Sequence, residues 1–563
     1  MTPKSSPLST LTAPQPSSDG VTWPWTALDT AWLKFLTSHQ PSSTVLHDLL
    51  ALLVSHQMGR GHACLDLALL WRDPAHLLDW SEPQINALIA LVKTHSSQLP
   101  PTDLFAPQVN PWADAARSLP WAQGDHSPIV LDHHADPAGP VLRIYLRRAW
   151  QAEQTIASNI QARLAQHIEV SPDTEEKLNT LFGAPGPTID WQRVACAKAL
   201  RSGLTLITGG PGTGKTTTVV RLLALLQKTA KDSHQTLRIH LAAPTGKAAS
   251  RLSTAIQNAL TSLPESWAEG IPTQAVTLHQ LLQYNPDAAA RPAPVLATDL
   301  VVVDEASMID LELMARLMKC VPLEARLVLL GDKDQLASVE AGAVWSQLCE
   351  GAAQADDKIF AQTKYAYHLP EQTAVLHISR RFHANSAIGQ WAKLINEGQQ
   401  QPLKTQWQSL QATDTDAFNP DKEVQRWPEA WRERKNGQLH PGVVHALQRG
   451  WADWLRALEP LQKSQAVCSN AQALELLNSF SQFQVLCALR QGAWGVQALN
   501  DAIAIALGLS KIPERSFQKA SAQDAWFVGA PRDGHSQRLS LAFDEWRRGS
   551  MSTHSTRLES GLS

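Results

Sequence analysis

The residues with the clearest chemistry are Gly209-Gly210-Pro211-Gly212-Thr213-Gly214-Lys215-Thr216, which satisfy the pattern GxxxxGK[ST]. Glycines at that spacing let successive backbone N–H groups converge on phosphate oxygens, and the helix start that follows adds its dipole. Lys215 would neutralise β/γ charge, Thr216 would ligate Mg²⁺, and Thr217 continues the contact run into the helix. A loop of this kind needs a carboxylate at the tip of a neighbouring strand. Asp304-Glu305 stands directly after Leu300-Val301-Val302-Val303, with Asp304 suited to the metal and Glu305 to the attacking water. After another aliphatic run comes Gly331-Asp332-Lys333-Asp334-Gln335-Leu336, where Gln335 would present an amide beside a γ-phosphate.

These groups must sit on a common scaffold, and the hydrophobic pattern supplies one. Short runs at 204–207, 239–242, 300–303 and 327–330 each precede a helical stretch, which predicts βαβ units around a buried parallel sheet. The fold class is therefore α/β. Before it, apolar residues at helical spacing predict a mostly helical N-terminal domain at 21–155, after a Ser/Pro-rich start at 1–20 expected to be disordered. The parallel-sheet lobe is expected over 156–372. A third region over 373–531 opens near Val375-Leu376-His377-Ile378. It carries Trp407, Trp427, Trp431, Trp451 and Trp454 in a polar stretch, then a strand candidate at Phe483-Gln484-Val485-Leu486-Cys487-Ala488.

Composition limits the partners. With 49 basic against 52 acidic residues and a formal charge of −3, nucleic-acid contact must use local clusters or backbone donors. The six cysteines have no two-residue spacing of the metal or redox kind, and they read as reduced core thiols. No stretch reaches about 18 uninterrupted apolar residues and no signal-peptide pattern opens the chain, so no membrane is expected and a cytoplasmic location is.

Taken in order, the glycine-rich loop, Asp304-Glu305-Ala306-Ser307 and Gly331-Asp332-x-x-Gln335-Leu336 resemble motifs I, II and III of superfamily 1 helicases, P-loop NTPases with RecA-like lobes. Gln192 in Asp190-Trp191-Gln192-Arg193 resembles the Q motif that reads adenine. Ala243-Pro244-Thr245-Gly246-Lys247 resembles motif Ia and Thr277-Leu278-His279 the next motif, so Pro244, Thr245, Lys247, Thr277 and His279 are implied DNA contacts. Ser379-Arg380-Arg381-Phe382 resembles motif IV, with Arg381 reaching the γ-phosphate. Within the superfamily the chain is similar to the RecD (alpha) subunits of RecBCD exonucleases (exodeoxyribonuclease V) in three further stretches, 56–64, 144–153 and 485–496. The resemblance implies a bacterial ATP-dependent 5′-to-3′ motor on single-stranded DNA and duplex ends, working with RecB-like and RecC-like subunits and docked through its N-terminal domain. Two alternatives remain open: a nucleotide-binding scaffold without turnover, and a P-loop enzyme unrelated to nucleic acid, such as a small-molecule kinase.

The resemblance breaks near Pro531. Motifs V and VI of a second lobe are missing after Arg381, which makes that lobe incomplete. Where the family reads something like V-M-V-T-R-N-D-Y, the chain reads Arg532-Asp533-Gly534-His535-Ser536-Gln537-Arg538-Leu539. Written as CGT GAT GGT CAC TCG CAA CGA CTA T and started one nucleotide later, the same codons yield the family string. A one-nucleotide frameshift is the expectation, leaving 532–563 as an out-of-frame, disordered tail and a chain that, as written, is expected to bind ATP weakly and not to unwind DNA. Sequencing the gene across codon 531 should show that shifting one nucleotide opens a frame encoding motifs V and VI. A downstream frame without them sinks the idea.

Overall fold

The structure is a computed structural model. It describes residues 22–508 apart from internal stretches, the longest being 96–109, 285–291, 336–341, 353–368, 380–385 and 411–425, and beyond them only two short paired strands, Pro531–Arg532 and Ser550–Met551. The expected disordered start and nearly all of the expected out-of-frame tail lie outside the described residues. The chain divides into two compact units, 1–379 and 380–563.

The first unit begins with helices packed around Val45–Gly59, which is buried on every side from Leu46 to Gln57 and so forms the centre of its own core. The expectation of a mostly helical domain needs one addition. Strands β1 (Cys64–Asp66), β2 (Ile129–Asp136) and β3 (Gly139–Leu146) form an antiparallel sheet in the order β1-β3-β2. Three residues in β1 and a His/Asp-rich β2 leave too little hydrophobic alternation to announce it.

The second layer system is the parallel sheet, built from β4 (Leu204–Gly209), β5 (Ile239–Ala243), β6 (Val276–Thr277), β7 (Leu300–Val303), β8 (Arg326–Gly331) and β9 (Thr373–Leu376). Their order is β6-β5-β7-β8-β4-β9, and every pairing is parallel. Side chains alternate between the faces. Leu204, Leu206, Val301, Val303, Leu327 and Leu329 enter one core, while Ile207, Leu300, Val302, Val328 and Leu330 enter the other. Helices Trp191–Arg201, Lys215–Asp232 and Gly246–Leu260 cover the second face. Helices Arg147–Leu164 and Leu311–Cys320 cover the first.

Two sequence-based boundaries and one strand candidate change as a result. The division at 155/156 falls inside the continuous helix Arg147–Leu164, because its residues Ala149, Ala152, Ile156 and Ile160 are buried against the parallel sheet. The strand expected to open a second lobe, Thr373–Leu376, is instead the edge strand β9 of the first sheet, paired with β4 from Leu206↔Thr373 to Gly209↔Leu376. The strand candidate at 483–488 is an extended segment in which Leu486 is 75% exposed; Leu489, just beyond it, is 64% exposed. A buried parallel strand needs a sheet to join, and among the described residues from 386 to 508 none contributes a strand to a sheet. That part of the second unit is helical, with Trp431, Trp451, Trp454 and Phe480 as its core. Trp451 stacks on Phe480 at 5.6 Å, and its indole N–H donates to the Phe483 carbonyl at 2.9 Å.

The helix Arg147–Leu164 is fastened by Arg163, which has no exposed surface. Its Nε donates to Asn159 Oδ1 at 2.8 Å, Nη2 donates to the Val321 and Pro322 carbonyls at 2.9 Å each, and Nη1 donates to Ala325 O at 2.5 Å and Gly203 O at 3.4 Å. Gly203 and Ala325 immediately precede β4 and β8. Burial lowers the guanidinium to about 10, still far above neutrality, so it stays charged. Arg163→Ala should lower unfolding free energy by about 3 kcal/mol or more, because several carbonyls lose their donor together. Arg163→Lys should recover only part of this, since an ammonium cannot span the fork. Urea unfolding followed by far-UV dichroism measures both, and a loss under about 1 kcal/mol for the alanine variant would contradict the assignment.

Candidate nucleotide site

β4 ends in Gly209, and the chain then turns through the loop into the helix Lys215–Asp232. Two glycines there have specific reasons. A Cβ on Gly209 would lie 2.8 Å from the Leu376 carbonyl oxygen of β9, and Gly214 caps the helix at φ +88°, where an L side chain is strained. The hydroxyl of Thr213 donates to the Gly210 carbonyl at 2.8 Å. Lys215 folds back on the loop, its ammonium donating to the carbonyls of Gly209 at 2.5 Å and Gly210 at 3.3 Å. Pro211 is exposed, and Lys215, Thr216 and Thr217 are half-buried at the helix start.

Asp304 and Glu305 follow β7, two strands away from β4 in the sheet. The N–H of Asp304 donates to Ala242 O at 2.9 Å, and that of Glu305 donates to Asp304 Oδ1 at 2.9 Å, which fixes the first carboxylate. Burial pushes the Asp304 carboxyl up to about 6, the neighbouring Glu305 charge adds to the rise, and Lys215 opposes it. Glu305 occupies the left-handed region at φ 54°, a conformation that costs a non-glycine residue roughly 1 kcal/mol or more. Such an outlier persists only where the surroundings demand it, here at the turn into the short helix Ala306–Met308. A half-buried carboxylate against one lysine, with the Thr216 hydroxyl at the adjoining helix start, is a hard-oxygen set suited to a small divalent cation.

The turn after β8 lies beside the loop, since the Lys333 N–H donates to Thr208 Oγ1 of β4 at 3.1 Å. Gln335 is exposed there, its amide donating to Asp332 Oδ2 at 3.4 Å. Gln192 is only 4% exposed, and both ends of its amide are engaged: Nε2 donates to Thr213 O at 3.4 Å, and Oε1 accepts from Arg221 at 3.1 Å. Gln192 thus props the loop from beneath.

The implied DNA contacts collect at the other end of the same strand edge. Residues 242 and 243 of β5 register with Val276 and Thr277 of β6, so Pro244-Thr245 and Thr277-Leu278 leave the sheet side by side. Both threonine hydroxyls cap helices. Thr245 accepts from Ala248 N–H at 3.2 Å, and Thr277 accepts from Gln280 N–H at 3.2 Å in a capping box. Lys247 is half-buried, and exposed His279 packs on Tyr284 at 5.6 Å. Arg381 lies outside the described residues. The structure adds three residues given no role by sequence reasoning: Thr208, Arg221, and Ser379, whose hydroxyl donates to the Pro211 carbonyl at 2.9 Å. Only Ser379 belonged to a stretch already singled out; for Thr208 and Arg221 no sequence signal existed.

The raised Asp304 carboxyl makes a pH prediction. Its folded value lies above the ordinary aspartate value, so the stability from its protonated form is present below about pH 4 and is lost as pH rises through about 6. Asp304→Asn should therefore stabilise the chain at pH 7.5 by roughly 1–3 kcal/mol and leave it unchanged at pH 3.5. Equal effects at both pH values in thermal unfolding would refute the desolvation argument.

Comparison with known proteins agrees with this geometry. Residues 24–135 match the family described as RecBCD enzyme subunit RecD, N-terminal domain, and residues 192–341 match an AAA domain family. The chain is 34% identical over 445 residues to the RecBCD enzyme subunit RecD of Haemophilus influenzae, covering 70% of this chain and 64% of that one. It is 42% identical over 268 residues to the same subunit of Mycobacterium tuberculosis, covering 46% and 44%. The ATP-dependent RecD2 DNA helicase of Deinococcus radiodurans is 34% identical over 218 residues, 37% of this chain and 26% of that one. The chain thus spans less than two thirds of the length of each of these relatives. With the RecD N-terminal domain in front, the P-loop sheet behind it and identity running through both, the chain is a relative of the RecD subunits of RecBCD enzymes.

Proposed function

We propose that this chain is an ATP-dependent 5′-to-3′ DNA translocase and helicase subunit of a RecBCD-type exodeoxyribonuclease, serving double-strand break repair by homologous recombination in a bacterial cytoplasm. One observation supports the reading: at the carboxyl edge of a single parallel sheet, β4, β7 and β8 end in the residues assigned to the phosphates, the metal and the γ-phosphate, while β5 and β6 end in the implied DNA contacts. A motor needs its nucleotide site and its DNA contacts coupled, and a shared sheet connects them directly. In this reading Mg²⁺ held by Thr216 and Asp304 neutralises phosphate charge. Lys215 leaves the loop carbonyls for the β/γ-phosphates, Glu305 takes the proton of the attacking water, and Gln335 reports the γ-phosphate. The resemblance assigns Arg381 to the γ-phosphate, and the N-terminal domain would dock on a RecC-like partner beside a RecB-like motor. Among the described residues, no helix is long and apolar enough to cross a membrane.

A second reading is a nucleotide-binding scaffold subunit of the same complex. It draws on the described part of the second unit, which is helical and adds no strand to any sheet from 386 to 508. DNA-stimulated ATP hydrolysis separates the two.

The decisive pair of variants is Lys215→Ala and Glu305→Gln. The first should abolish nucleotide binding and hydrolysis together, because it removes the ammonium seated on the loop carbonyls. The second should retain ATP affinity within about threefold and lose hydrolysis by about 10²-fold or more. Unchanged turnover in Lys215→Ala would remove the loop from the chemistry, and lost binding in Glu305→Gln would overturn the division of roles.

A further inference from the structure

The parallel ladder between β4 and β8 ends at the pair Thr208↔Gly331. From there β4 turns away into the phosphate loop, while the chain after β8 runs on into the Gln335 turn. Beyond the ladder the Lys333 N–H finds a side chain in place of a strand, because Thr208 Oγ1 accepts it at 3.1 Å. Thr208 has no exposed surface. Its hydroxyl also engages the thiol of Cys349, which burial pushes up to about 12 while this contact draws it back. The turn itself is closed by its own groups. Asp332 is buried, and its carboxylate accepts from the Asp334 N–H at 3.1 Å and from the Gln335 amide at 3.4 Å. Trp345 packs so closely on Gly331 that a Cβ there would lie 2.6 Å from its ring. A braced turn therefore meets the strand of the phosphate loop at one hydroxyl oxygen past the end of the ladder.

An amide that distinguishes one phosphate from another must be placed closely, since a displacement of about 1 Å can cost on the order of 10²-fold. Gln335 stands two residues past Lys333, so the oxygen that holds the Lys333 N–H also sets where Gln335 starts. We propose that Thr208 is a positioning residue for γ-phosphate recognition: its hydroxyl oxygen, one residue before the loop, fixes the spacing between the loop and the Gln335 turn. Wholly buried, Thr208 acts through the Lys333 backbone and not by contact with nucleotide. This inference rests on the proposed ATPase reading and adds to it the residue that sets the sensor in place.

The test compares affinity for a non-hydrolysable ATP analogue with affinity for ADP, each with Mg²⁺, by titration calorimetry on the full chain and its variants, so that no turnover is needed. Gln335→Ala should shrink the preference for the analogue by about tenfold, the value of one hydrogen bond. Thr208→Val keeps the shape of the side chain and removes the acceptor. It should shrink the preference to within about threefold of the Gln335→Ala value while ADP affinity stays unchanged, and Thr208→Ala should do the same. Thr208→Ser retains the oxygen and should keep the parent preference. Thr208→Val combined with Gln335→Ala should lose no more than Gln335→Ala alone, because both act through one amide. An unchanged preference in Thr208→Val and Thr208→Ala overturns the proposal. So does ADP affinity that falls in step with affinity for the analogue, or losses that multiply in the combined variant. Failure of the underlying reading looks different and takes this inference with it: the parent chain would bind neither nucleotide, bind both equally, or bind them regardless of Lys215→Ala.

Discussion

A parallel sheet has to be covered on both faces, because its strands are apolar on both sides and its crossovers cannot leave either side wet. In this chain one face is closed by the helices that the sheet's own crossovers supply, and the other is shared with a helix from the N-terminal domain. Arg147–Leu164 begins where β3 ends and runs across the sheet to Arg163, whose guanidinium gathers the carbonyls at the foot of β4 and β8. Without that helix, Leu204, Leu206, Val301 and Leu327 would lose cover, at about 1.5–3 kcal/mol for each fully buried side chain. The N-terminal domain is thus part of the scaffold that holds the phosphate loop, joined to it by a helix that starts directly where β3 ends.

That arrangement bears on function. Whatever binds the N-terminal domain touches a body continuous with β4 and β8, the strands that end in the loop and in the Gln335 turn. A second connection reinforces it: the Gly342 N–H, seven residues past Gln335, donates to the Gly61 carbonyl at 2.9 Å, between the turn after Val45–Gly59 and the chain that leaves β8. Strain at the site fits the same frame. Glu305 is held at φ 54° and Asp304 is desolvated, and both conditions are sustained by the packed sheet around them.

Much of the site was legible in the residues themselves. The glycine-rich loop, Asp304-Glu305 and the Gly331–Gln335 turn each follow an aliphatic run, and those three runs, with the one at 239–242, became adjacent parallel strands, because β-branched and aliphatic stretches between helical segments have few other ways to be buried. Less legible were the edges of the sheet. Val276–Thr277 is too short to carry a period, and Thr373–Leu376 reads equally well as the start of a new lobe. Its place was settled by backbone pairing with β4, a long-range contact that local pattern does not encode.

Sequence alone picked out the groups proposed to handle phosphate, since a loop of N–H donors, a lysine and a strand-end carboxylate form a chemically coherent set and their spacing is local. It also determined that the strands between them are buried on both faces. Only the tertiary structure decided what those groups touch. Gln192 turned out to be committed to the loop and Arg221, Thr245 and Thr277 to capping helices, and His377 to a ring contact with Trp191 at the loop's rim. Each of these depends on which strand lies beside which, and strand order is set by the burial of whole faces, a property of the assembled sheet that no single segment carries.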